Sequence, residues 1–170
     1  MRLDRIVERL QANAGIVSAL AGHVSDEQAG WKPAPDKWSI VEVVTHLADE
    51  EVEDFRTRVD FTLHRPGEGW PAIDPRGWVD ERAYRDQPLK ESLARFLRNR
   101  AESLAWLGTL DSPDWTSAHQ PPGLEPITAG DLLISWVGHD FIHIRQLNRL
   151  HREFFLRSVP EFSADYAGRW

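Results

Sequence analysis

Cysteine is absent from this chain, which removes disulfides, thiolate metal ligands and a cysteine nucleophile together. Any thiol chemistry needs a thiol brought in from outside. Long apolar runs are missing too: no stretch approaches the roughly 18 to 20 residues that a membrane helix requires, so no membrane partner is expected. The N-terminal residues 1–17 mix charges of both signs in an amphipathic pattern, whereas a secretory signal needs a basic start and an uninterrupted apolar run. The expected compartment is therefore the cytoplasm. Basic clusters are lacking as well, and a formal charge of −7 opposes binding to phosphate backbones, so nucleic acid is not an expected partner. No strand-length alternation of apolar and polar residues, internal repeat or linker competes with helix.

What is present fits one all-α domain over residues 1–170. Leu3, Ile6, Val7, Leu10, Ala14, Val17 and Leu20 recur at three- and four-residue steps and place one apolar stripe on a first helix ending near Gly22. Ser39 and Glu42 form an S-x-x-E capping box that opens a second helix, running to about Leu63. Between the two, residues 23–38 contain Pro33 and Pro35, which exclude a regular helix. Residues 65–87 carry three prolines and three glycines and cannot continue the second helix. They read as a long crossover with a short helical piece near Val79 to Tyr84. A third helix follows Pro88, with Leu89, Leu93, Phe96, Leu97, Leu104, Leu107 and Leu110 as its stripe. Thr128 and Asp131 cap a fourth that runs to about His151. The expected fold is a four-helix bundle with a long crossover between the second and third helices. The eight tryptophans read as core plugs and interface anchors, with Trp70 and Trp78 placed to roof a pocket or to pack beneath the crossover.

Leu132, Trp136, His139, His143, Leu147 and Leu150 form the core-facing row of the fourth helix, which turns two histidines inward one turn apart, at the spacing that lets two imidazoles reach one metal ion. At ~100° per residue, His46 lies beside Val43 on the flank of the second helix's stripe. It is either a third ligand or a core-edge histidine bonded to a carboxylate or carbonyl. His23, His64, His119 and His151 fall in loops and at helix ends and read as solvated surface. Glu50, one turn beyond His46, is a candidate fourth ligand, orienting group or general base, unless the helix simply rotates toward solvent there. Glu51 and Asp54 continue the same acidic intrusion into the stripe. Asp140 is expected at the flank, bonded to a neighbouring helix.

Residues 37–51 (KWSIVEVVTHLADEE), 111–115 (DSPDW) and 123–147 (GLEPITAGDLLISWVGHDFIHIRQL) resemble the DinB-like (YfiT-like) superfamily. A Trp-Ser-capped helix carries one His, a Trp follows the third helix, and the closing helix carries His-Asp-x-x-His-x-x-Gln. The resemblance implies a bundle with a long crossover, a homodimer, and one divalent metal ion on the residues matching His46, His139 and His143. Zinc or nickel is the expected metal, although imidazole also suits iron and copper. It further implies a metal-dependent enzyme for a small-molecule substrate, activating water as a hydrolase or a low-molecular-weight thiol as a transferase or isomerase. The alternative is a metal- or ligand-binding stress protein of the same fold without turnover. A zinc peptidase is disfavoured: His139-Asp140-x-x-His143 only imitates His-Glu-x-x-His, its acid is one methylene short, and no third ligand follows downstream. The aromatic residues of the tail, Phe154, Phe155, Phe162 and Tyr166, read as packing on the bundle or on a second subunit.

Overall fold

Ser39 and Thr128 start the two helices on which the site depends. Each hydroxyl accepts from the backbone N–H three residues on, and the side chains of Glu42 and Asp131 return the bond, so both capping boxes form. A cap of this kind contributes about 1 kcal/mol and fixes where the helix begins. The computed structural model describes residues 2–65, 67–123 and 125–168. In chain order these form α1 (Leu3–Ala21), α2 (Asp26–Gly30), α3 (Ile40–Glu50), a π-helical segment (Glu51–Arg56), α4 (Thr57–His64), α5 (Gly77–Glu81), α6 (Leu89–Thr109) and α7 (Ala129–Arg157). The backbone stays helical through both ends of the π segment, so α3 and α4 make one rod. In the π segment, the Thr57 hydroxyl donates to the Val52 carbonyl at 2.7 Å.

Four rods close into a ring: α3 packs on α6, α6 on α1, α1 on α7, and α7 on α4. The architecture is a four-helix bundle, with the crossover between its second and third rods. At one level of the bundle each rod contributes a buried polar residue: Asn13 in α1, Glu51 after α3, Arg100 in α6 and Asp140 in α7. These residues separate two apolar clusters. One gathers Val17, Val43, Val44, Leu47, Phe96 and Leu147; the other gathers Leu10, Phe55, Leu107, Leu133 and Trp136. The core is thus two oil drops with a charged layer between them.

Several local expectations need correction. Residues 23–38 hold the short helix α2, capped by Ser25, just ahead of the prolines. The helical pieces of the crossover are α5 and a 3₁₀ turn at Tyr84–Asp86 rather than one piece at 79–84. Ala118–His119 and Ile127–Thr128 pair as an antiparallel two-residue ladder, too short to show alternation in sequence. Past His151, α7 continues to Arg157, because Phe154 gives it an extra apolar contact, packing edge-on against Trp31 with ring centroids 5.6 Å apart. Phe155, Phe162 and Tyr166 stay exposed, so the tail does not bury its aromatics on the bundle; its last two residues, Arg169 and Trp170, lie outside the described residues.

Candidate metal centre

α3 is buried on every side, from Ile40 to Glu50, where an amphipathic helix with one buried face was expected. The crossover and the loop before the helix cover the face that would otherwise meet solvent. Lys32 Nζ reaches Glu42 at 2.8 Å. Asp49 accepts from Arg82 Nη1 at 2.7 Å, from the Tyr84 hydroxyl at 2.6 Å and from Arg95 Nη1. Arg82 also forks onto both oxygens of Glu53. Between Arg82 and Tyr84, Ala83 adopts a left-handed backbone (φ 47°), a conformation disfavoured for a residue with a Cβ, and the bonds of its two neighbours to Asp49 hold it there.

His46 therefore sits inside the bundle, and the structure brings it to the other two expected histidines. His46 Nε2 lies 3.2 Å from His139 Nε2, and His143 Nε2 lies 3.1 Å from that same atom. All three nitrogens fall within 4.8 Å of one another. A neutral imidazole nitrogen carries either one hydrogen or one lone pair, so His139 Nε2 cannot form a good bond to two imidazoles at once. Burial holds His46 down to about 2, helped by His143 and His139, and burial likewise holds His139 down to about 3. The pKa of His143 is lowered too, again chiefly by burial. All three rings are thus neutral at physiological pH, the form with a free lone pair. Aromatic rings wall them on one side: Trp38 lies parallel to His143 and 4.8 Å from His46, and Phe55 lies 5.0 Å from His139. Gln146 Oε1 sits 2.8 Å from His143 Nδ1; with the proton on Nδ1, the bond leaves the Nε2 lone pair facing the other two rings.

The rings face a cavity of about 470 Å³ whose wall also includes Trp38, Glu50 and Gln146, with Pro75 and Arg76 contributed by the crossover. Trp70 and Trp78 are not in that wall. Trp70 stacks on His119 and donates to Thr62, while Trp78 is buried under Arg82. Glu50 is only 4% exposed and has not rotated to solvent; its Oε1 has no hydrogen-bond partner. Glu50 is not among the groups that share the histidines' close cluster. The surface reading of the other histidines holds for His23 and His64 but not for His151, which contacts Leu20 O and Gln28, nor for His119 on Trp70.

Asp140 turns away from the cavity, as its position on the helix led us to expect. It meets Arg100, which sequence reading passed over. All five guanidinium N–H groups of Arg100 are used: two on Glu51, two on Asp140 and one on the Leu10 carbonyl, all at 2.7–2.8 Å. Asn13 and the Trp136 indole complete the two carboxylates. The signal that reveals Arg100 is the interruption of its own helix's stripe between Leu97 and Leu104.

Residues 9–147 match the family model of the DinB superfamily. The chain belongs to that superfamily. YfiT from Bacillus subtilis, described as a probable metal-dependent hydrolase with an unusual four-helix bundle topology, superposes with a TM-score of 0.79 at 21% identity, over 90% of this chain and 87% of its own. The mycothiol-dependent maleylpyruvate isomerase superposes with a TM-score of 0.69 at 14% identity, over 86% of this chain and 61% of its own length. At these identities the likeness is one of fold. No curated protein matches the chain.

Proposed function

We propose that this DinB-superfamily protein holds one divalent metal ion on the Nε2 atoms of His46, His139 and His143 and is a metal-dependent enzyme for a small-molecule substrate. The observation that carries the reading is the meeting of three neutral imidazole nitrogens that have no satisfactory hydrogen-bonding arrangement among themselves. Their spacing fits a cation. With metal–nitrogen bonds of about 2.0–2.1 Å, adjacent ligands sit about 3.4 Å apart in a tetrahedron and about 3.0 Å apart in an octahedron, and the His46–His139 and His139–His143 separations, 3.2 and 3.1 Å, fall between. Zinc and nickel both suit such a donor set. A divalent ion there supplies Lewis acidity, easing the loss of a proton from a water or thiol beside it.

The chain's own residues do the rest. Trp38 and Phe55 wall the ligand side, Gln146 fixes the His143 tautomer, and the cavity under Pro75 and Arg76 admits the substrate. The two chemistries we favour are hydrolysis and transfer or isomerisation with an external low-molecular-weight thiol, the latter because the chain has no cysteine of its own. The His-Asp-x-x-His run does not supply the base its peptidase likeness would need: its acid, Asp140, is consumed by Arg100 and Asn13. We further propose a cytoplasmic homodimer of one domain per chain. No helix among the described residues is long and apolar enough to cross a membrane, and Ile134, Phe141 and Ile142 expose apolar surface on α7. A screen of the metal-loaded protein against esters, amides and thiol–electrophile pairs tests the enzymatic reading. Metal-dependent turnover that disappears in His46→Ala supports it; stoichiometric metal with no turnover across the screen favours a binding protein instead.

A further inference from the structure

The cavity beside the histidines contains one carboxyl group that the three-histidine reading leaves unused. Glu50 lies one turn along the rod from His46, lines the same cavity, and is almost fully buried, with Oε1 unpaired. An unpaired buried carboxyl oxygen is rare and costly. Behind it stands Asp54, a further turn on and buried. Arg58 Nε lies 2.8 Å from Asp54 Oδ1 as an ion pair. Burial first, and then the neighbouring Asp54 carboxylate, push the Glu50 carboxyl up to about 8. The groups facing Glu50 are Asp54, Asp49 and Arg58 on its own rod, with His46, His139, His143, Asp36, Lys37 and Arg76 around the cavity.

Resting on the metal reading above, we propose that Glu50 is the carboxyl that exchanges a proton with the molecule in the open position beside the three imidazoles, with Asp54 as its positioning residue. Glu50 stands apart from the close cluster of the three Nε2 atoms and lines the same cavity. The step balances: the O–H or S–H bond of the incoming molecule breaks, its electron pair stays on oxygen or sulfur, and the proton ends on Glu50 Oε1. The reverse transfer returns that proton to the leaving group or product. A carboxyl with a raised pKa and one oxygen free of hydrogen bonds can serve in both directions.

Cobalt-loaded wild type, Glu50→Gln and Asp54→Asn proteins, titrated with two probes and followed by visible absorption, test this. The first probe, 2-mercaptoethanol, must lose a proton to bind; the second, azide, is already an anion. Each protein is expected to hold one cobalt per chain. Glu50→Gln is expected to lose about tenfold to a hundredfold in affinity for the thiol, the value of a charge-assisted hydrogen bond, while azide affinity is kept or improved. Asp54→Asn is expected to show the same selective loss, but smaller. Equal changes for both probes, or none, overturn the proposal. Loss of cobalt in Glu50→Gln overturns it by making Glu50 a ligand, and a cobalt-loaded wild type that binds neither probe overturns it by removing the open position. A wild type that takes up no metal defeats the three-histidine reading instead, and this proposal with it.

Discussion

Two buried polar groups of this bundle lie one residue apart on the same two rods, and they are built in opposite ways. Glu51 and Asp140 point to Arg100, where every guanidinium hydrogen is used and both carboxylates have additional donors. Glu50 and His139, their neighbours in sequence, turn ~100° away to a cavity where the Glu50 oxygen is unpaired and imidazole nitrogens crowd together. The closed group joins all four rods and separates the two apolar clusters. The open group sits where the crossover comes down on the second rod. Buried charge with full pairing serves the fold; buried polarity left incomplete marks where a ligand completes it. The π segment begins at Glu51, at the parting of the two, in keeping with the tendency of such segments to fall at functional sites.

The largest effect is expected from the closed group. Arg100→Met leaves Glu51 and Asp140 buried without their cation, and urea unfolding should show a loss of about 3–5 kcal/mol. A near-neutral result would mean that the layer is not what joins the rods. Gln146→Leu sharpens the contrast from the other side. It should leave unfolding within about 0.5 kcal/mol yet weaken metal binding by about tenfold to a hundredfold, the usual value of a group that orients a ligand, as read by competition with a chromophoric chelator. A further contrast concerns pH. With its pKa raised from 4.5 to about 8, Glu50 keeps a proton in the folded, metal-free chain that the unfolded chain gives up across that window, so folding stability falls as pH rises through it. Glu50→Gln removes the fall. Its melting temperature should equal that of the wild type below pH 4.5 and exceed it above pH 8, and a constant offset at all pH values would argue that the carboxyl titrates normally.

How much of this was legible in the residues follows the same division. The capping boxes and the inward row from Leu132 to Leu150 are local features, set by hydrogen bonds and spacing within a few residues, and both were read correctly. The three histidines could be nominated because two share one helix face and the third lies at a comparable depth in the other capped helix. That His46 and Glu50 are enclosed rather than peripheral depends on Arg82 and Tyr84 reaching Asp49 from the crossover, a long-range contact with no periodicity to betray it. The π segment was invisible because its apolar residues also fit three- and four-residue steps. Arg100 left a trace, a gap in a leucine stripe, but a gap alone does not say that three other rods converge on it. Gln146 stood in the family motif without a role until its contact with His143 supplied one.

Elemental analysis of the purified wild type beside a His139→Ala, His143→Ala double variant tests the central claim most directly. The account predicts one divalent metal per chain in the first and none in the second, with both folded; the same metal content in the two proteins would contradict it.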